Sequence, residues 1–162
     1  ICEGLVGSEM CIRDRYMGTD SIAPFLTRPE KGVYLLCLTS NPSAINFQYK
    51  LSNGSHLYED VAKLAESLNT KNNLGLVVGA TKGSEMNKIR QIAPSLSWLV
   101  PGIGAQGGNL EDSVNISNKD SASSIINVSR SIIYAKNQSL EDIRQAAIDY
   151  NKNINKFLKI NE

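Results

Sequence analysis

The sequence predicts an α/β fold in which parallel strands alternate with helices. Two observations carry this. After the first thirty residues, four short apolar runs recur at 32–39, 74–79, 98–102 and 124–128, each continuous rather than alternating. Such runs mark strands covered on both faces of a parallel sheet. Between them lie Gly, Ser, Asn and Pro turns, then segments whose apolar residues repeat every three or four positions. That is the spacing of a helix with one buried face.

In chain order, the first run holds Cys37, for which a small core role is expected. Leu57, Val61, Leu64 and Leu68 then form one helical stripe. After the second run, Ser84 is a candidate cap for a helix whose inner face holds Met86, Ile89 and Ile92. Pro94 stops that helix. The third run passes through four glycines toward a helix expected from about Asn109. After the fourth, Ser139 and Asp142 form a partial capping box. Ile143, Ala147, Tyr150, Ile154 and Phe157 give the last helix an apolar face, and Lys156 and Lys159 suit its C-terminal pole. Right-handed crossovers join such units. Four of them fit either a doubly wound sheet or half of an eightfold barrel.

A chain of 162 residues is the size of one domain. Hydrophobic residues make up 41% and charged residues 20%, and the net charge is +1. This balance speaks against nucleic acid or an acidic membrane as partner. No apolar run approaches the ~20 residues of a membrane span, and residues 1–15 lack the order of a secretory signal. Cys2, Cys11 and Cys37 show no framework spacing, which fits a reducing, cytoplasmic setting. The Asn-x-Ser triplets at Asn53, Asn115, Asn127 and Asn137 read as chance matches, Asn127 lying in a strand expected to be buried. His56, at a helix start, is expected to be solvated.

Three stretches carry candidate chemistry. Leu99-Val-Pro-Gly-Ile-Gly-Ala-Gln-Gly-Gly-Asn-Leu-Glu-Asp112 runs from a strand through a glycine loop into a helix. Such a loop lets backbone approach an anion, or serves as a plain turn. Gln106 offers donors and an acceptor from its middle. Arg130 follows the fourth strand, where a planar guanidinium suits a phosphate's paired oxygens or a surface carboxylate. Barrel enzymes often build phosphate sites from the loops after strands seven and eight. Leu38-Thr-Ser-Asn-Pro42 ends the first strand, and on spacing alone it reads equally as a heterocycle contact or a turn.

Val100-Pro-Gly-Ile-Gly-Ala-Gln-Gly-Gly108 and Ile126-Asn-Val-Ser-Arg-Ser-Ile-Ile-Tyr-Ala135 resemble the last two strand–loop signatures of the orotidine 5′-phosphate decarboxylases. Leu76-Val-Val-Gly-Ala-Thr81 and Leu38-Thr-Ser-Asn-Pro42 resemble the two strands before them. Tyr16-Met-Gly-Thr-Asp-Ser-Ile-Ala-Pro-Phe25 resembles the loop and helix after the fourth strand, in the manner of the longer bacterial subfamily. The resemblance implies the C-terminal half of a (β/α)8 TIM barrel, comprising strands five to eight and a C-terminal helix. It implies substrate-binding roles for Ser40 on the pyrimidine, Pro101 at the base pocket, and Gln106, Gly107, Ser129 and Arg130 at the phosphate. It implies orotidine and uridine 5′-phosphates as ligands, a homodimeric parent and no cofactor. Lys82-Gly83 departs from the acidic, proline-containing sequence expected at its position, so that loop receives no role.

The implied chemistry is loss of carbon dioxide from C6 of orotidine 5′-phosphate, giving uridine 5′-phosphate in pyrimidine biosynthesis. It uses an alternating lysine–aspartate array around an Asp-x-Lys-x-x-Asp signature, and preorganised charge of that kind is typically the largest catalytic term. No Asp-x-Lys occurs in this sequence. The chain alone is therefore expected to be inactive, with no catalytic residue assigned. Residues 1–15 do not resemble the family and read as translated adapter joined to a truncated frame, leaving 16–162 as the partial barrel. A half barrel has open edges and exposed apolar faces, so aggregation or pairing with a second copy is expected. Two other readings are a sugar-phosphate isomerase or epimerase barrel and a non-enzymatic phosphate-binding module.

Overall fold

The structure, a computed structural model, describes residues 18–119 and 122–159. Helix α1 (Thr19–Ile22) and a 3-10 turn (Ala23–Thr27) lead into β1 (Val33–Leu38). A second 3-10 turn (Pro42–Asn46) and a hairpin of β2 (Leu51–Ser52) and β3 (Ser55–His56) precede α2 (Leu57–Leu68). Then follow β4 (Leu74–Val78), α3 (Gly83–Ile92), β5 (Ser97–Val100), α4 (Leu110–Ser117), β6 (Ser124–Ile126), α5 (Arg130–Ile133) and α6 (Leu140–Phe157). The four apolar runs are the strands of one parallel sheet in the order β1-β4-β5-β6. Strand–helix alternation therefore holds for the four strands of this sheet, and the β2–β3 hairpin stands apart from it. The segment read as foreign, 1–15, lies outside the described residues, as do Cys2 and Cys11.

Register explains where the core sits. Leu35, Leu76, Trp98 and Ser124 form one ladder across the four strands, and its three apolar members are fully or almost fully buried. Against that face pack Tyr58, Val61, Ala62 and Ala65 of α2 and Met86 and Ile89 of α3. The alternate ladder is Leu36, Val77, Leu99 and Ile125. Its first three members are half-buried, and Ile125 is 53% exposed. Coverage on both faces, expected from the continuous runs, thus fails. Helices cover one face, and the other keeps apolar side chains half in solvent. The runs are continuous because both faces are apolar, not because both are buried here.

Local details correct several expectations. Asn127 lies just beyond β6 and is exposed, not in a buried strand. Ser84 does not cap α3; Lys82 holds that position, and Ser84 Oγ donates to Glu85 Oε2 at 2.6 Å. His56 is half-buried rather than fully solvated. It stacks on Tyr58 (centroids 5.5 Å apart, planes 15° apart), and its Nδ1 lies 2.8 Å from the Tyr49 carbonyl oxygen. The apolar stripe of α6 is only partly covered, and Ala147 on it is exposed, because that helix packs at the periphery on α4 and α5. Asn109 caps α4 and Ser139 caps α6, each accepting the amide N–H three residues on at 3.1 Å. Cys37 is fully buried, as a core residue should be.

Arg90 ties the lower ends of these elements together. It is 2% exposed and donates to the carbonyls of Ala93, Pro94, Leu96, Ile116 and Ser117. Its guanidinium lies 4.0 Å from the centroid of the Trp98 ring. The side chain satisfies carbonyls at the C-terminal ends of α3 and α4, which helical geometry otherwise leaves without donors. Arg90→Met keeps the aliphatic stem but strands those acceptors. Urea denaturation should show a loss of more than about 2 kcal/mol; a change under about 0.5 kcal/mol would contradict this role.

Candidate functional site

The C-terminal ends of the four strands lie level, held by bonds that continue the sheet past its regular part. Gly79 N–H donates to Leu38 O (2.8 Å), Ala80 N–H to Pro101 O (2.9 Å) and Asn127 N–H to Val100 O (3.0 Å). The loops after β1, β5 and β6 therefore emerge on one rim. There, Pro101, Gly102, Ile103, Ala105, Gln106, Asn127, Ser129 and Arg130 line a cavity of about 110 Å³. Among the described residues of this lining, Arg130 is the one with an ionisable side chain, and Gln106, Asn127 and Ser129 are the others with polar side chains.

The glycine loop is built tightly over this cavity. Gly107 N–H donates to Gly104 O at 2.8 Å and Gly108 N–H to Gly102 O at 3.1 Å. Ala105 N–H donates to Ser131 Oγ at 3.1 Å. These three amides are spent inside the protein, so an anion in the cavity meets side chains first. Gly108 has to be glycine for space: a Cβ there would lie 2.6 Å from both the Ala80 Cβ and the Gly102 carbonyl oxygen.

Of the residues expected at a site, Pro101, Gln106, Ser129 and Arg130 come together as walls of the cavity. Ser40 joins them by donating to Gln106 Oε1 at 2.9 Å. Gly107 does not line the cavity; with φ of 82° it shapes the turn that carries Gln106. At the Thr39-Ser40-Asn41 strand end, the turn reading holds for two of the three side chains. Thr39 and Asn41 close the turn: Thr39 Oγ1 donates to Asn41 Oδ1 (2.6 Å), and buried Gln48 bonds both the amide and the hydroxyl of Thr39. Ser40 alone reaches across. Asn127 is a wall residue that sequence reasoning placed elsewhere, though its position three residues before Arg130 was a usable signal.

A second hollow of about 170 Å³ lies beside the first, lined by Asn41, Pro42, Ala44, Ile45, Tyr49, Lys82 and Glu85. Tyr49 donates to Glu85 Oε1 at 2.7 Å, and Lys82 Nζ lies 5.8 Å from the centroid of the Tyr49 ring. Burial alone would raise the Glu85 pKa, but hydrogen bonds from Ser84 and Tyr49 hold the carboxyl below its ordinary range. Lys88, the other lysine after β4, is 2.6 Å from Glu59 Oε1. Among the described residues, no cluster of three His, Cys, Asp or Glu side chains is placed to hold a metal ion. No described helix is long and apolar enough to cross a membrane.

Comparison with known proteins agrees with this fold. Residues 4–145 match the model of the "Orotidine 5'-phosphate decarboxylase / HUMPS family". The chain belongs to that family. The orotidine 5′-phosphate decarboxylase of Halorubrum lacusprofundi is 46% identical over 130 residues, covering 76% of this chain and 47% of the relative. That of Dehalococcoides mccartyi is 40% identical over 165 residues, covering 93% and 59%. The Leishmania donovani OMP decarboxylase structure superposes with a TM-score of 0.77 at 40% identity, covering 88% of this chain and 54% of its own. The UMP synthase structure of the same organism gives 0.79 at 42% identity, over 88% and 31%. The chain spans about half the length of the curated relatives it matches. Its four-stranded parallel sheet is accordingly part of the family's TIM barrel, with strand–helix alternation as expected.

The glycine at 108 offers a direct check on the loop. Gly108→Ala should push the loop off Ala80 and cost about 1–3 kcal/mol in chemical denaturation. A variant as stable as the parent would show that the loop does not pack as described.

Proposed function

We propose that the protein to which this sequence belongs decarboxylates orotidine 5′-phosphate to uridine 5′-phosphate in pyrimidine biosynthesis, and that these residues form its phosphate grip. One observation carries the reading: Gln106 and Arg130, from loops of different strands, line a single cavity at the strand ends. In this reading the Arg130 guanidinium takes two phosphoryl oxygens and the Gln106 amide donates to a third. Ser129 assists beside Arg130. Ser40 turns from Gln106 toward the pyrimidine, Pro101 borders the ring, and Gly107 sets the turn.

The phosphate lies away from the carbon that reacts. Its grip fixes the nucleotide so that binding energy is available at the distant bond. There the C6–carboxylate bond breaks, carbon dioxide leaves, and a proton fills the electron pair left on C6. The lysine–aspartate array for that step is absent from this sequence, so these residues bind and orient without performing the bond cleavage. We further propose that residues 16–162 belong to the C-terminal half of the barrel; the family match itself reaches back to residue 4. The parent is read as a cytoplasmic homodimer that uses no cofactor and binds neither nucleic acid nor membrane.

The purified chain should release no carbon dioxide from orotidine 5′-phosphate, yet bind uridine 5′-phosphate more tightly than ribose 5-phosphate by calorimetry. Arg130→Ala should weaken uridine 5′-phosphate binding about tenfold or more, the worth of a charged hydrogen-bond pair. Equal affinity for the two phosphates, or an unchanged affinity in Arg130→Ala, contradicts the proposal.

A further inference from the structure

A hydrogen bond joins the glycine loop to the turn that carries Arg130. Its donor is the N–H of Ala105, next to Gln106; its acceptor is the hydroxyl of Ser131, next to Arg130, at 3.1 Å. Ala105, Gln106, Ser129 and Arg130 all line the cavity, whereas Ser131 does not. The junction is built closely. Gly104 has φ of +75°, and a Cβ on it would collide with the Ser131 hydroxyl oxygen and lie 2.8 Å from the Tyr150 hydroxyl. Loop, α5 and α6 therefore meet at one point, behind the cavity wall.

Gln106 and Arg130 are exposed, long side chains, and each loses rotamer freedom when it grips a ligand. What the protein can fix beforehand is the spacing of the two backbones that carry them. We infer that Ser131 is a positioning residue that sets this spacing: its hydroxyl holds the Gln106 loop against the Arg130 turn, Gly104 leaves the room, and Tyr150 closes the space behind. The inference rests on the phosphate reading above. Because Ser131 does not line the cavity, its effect acts through the two arms. It is therefore felt by a ligand that engages both arms and not by one that lacks the phosphoryl group.

The test titrates the chain with uridine 5′-phosphate and with uridine, following amide chemical shifts, for the parent, Ser131→Ala, Gly104→Ala and Arg130→Ala. Ser131→Ala should weaken uridine 5′-phosphate about five- to tenfold, as loss of one hydrogen bond allows, and leave uridine affinity unchanged. Gly104→Ala, which forces the Ser131 hydroxyl away, should give the same phosphate-confined loss. If Ser131→Ala binds the nucleotide as the parent does while Arg130→Ala does not, the positioning role is wrong and the phosphate site stands. Equal losses for nucleotide and nucleoside would mean general loosening and also overturn the role. If Arg130→Ala leaves nucleotide binding intact, or the parent chain does not prefer the nucleotide, the phosphate reading itself falls and this inference falls with it.

Discussion

Parallel pairing of β5 with β6 is the constraint on which the rest depends. The register Trp98 with Ser124, Leu99 with Ile125 and Val100 with Ile126 brings both strands to their ends at the same level. Pro101 and Asn127 then leave the sheet side by side, and the bond from Asn127 to Val100 carries the alignment one residue further. Strand direction alternates in an antiparallel sheet, so adjacent strands there end on opposite rims. Only parallel neighbours present two successive loops to one cavity. In open and closed parallel sheets alike, ligands collect at the carboxyl ends of strands for this reason.

The buried layer beneath explains why that rim holds its shape. Leu35, Leu76 and Trp98 lie on the face covered by α2, α3 and α4, and Arg90 locks two of those helices to the start of β5. The opposite face is different. Leu36, Val77, Leu99 and Ile125 form an apolar ladder that the described residues leave partly in water. The family's barrel places such residues inside a closed sheet, where layers of side chains from neighbouring strands interlock. The chain matches only about half of each curated relative. The half-exposed ladder is the structural counterpart of that fraction.

Much of this was legible in the residues because local chemistry and fold agree at those positions. Continuous apolar runs gave all four sheet strands, and the spacing of Leu57, Val61, Leu64 and Leu68 gave the helix α2, whose buried face is instead built on Tyr58, Val61, Ala62 and Ala65. Ser139 was readable as a cap, and Asn109 as the start of a helix, because Asx and Ser side chains bond the amide three residues on. What could not be read depended on distant partners. His56 looks polar in sequence, yet Tyr49 and Tyr58 enclose it. Ser84 precedes a helix pattern by the right interval, but Glu85 takes its hydroxyl. The glycine loop suggested exposed amides, and three of them turn inward, one to a serine 26 positions away in sequence. Ile125 has the composition of a buried strand residue; the uncovered face and the edge position of β6 together expose it.

A nitrogen-resolved chemical-shift map of the chain during titration with uridine 5′-phosphate tests the shared cavity most directly. The account predicts that amides of 102–108 and 127–131, with the side-chain amide of Gln106 and the Nε of Arg130, shift together along one saturation curve. Shifts confined to one of the two loops, or centred instead on Tyr49, Lys82 and Glu85 in the neighbouring hollow, would contradict it.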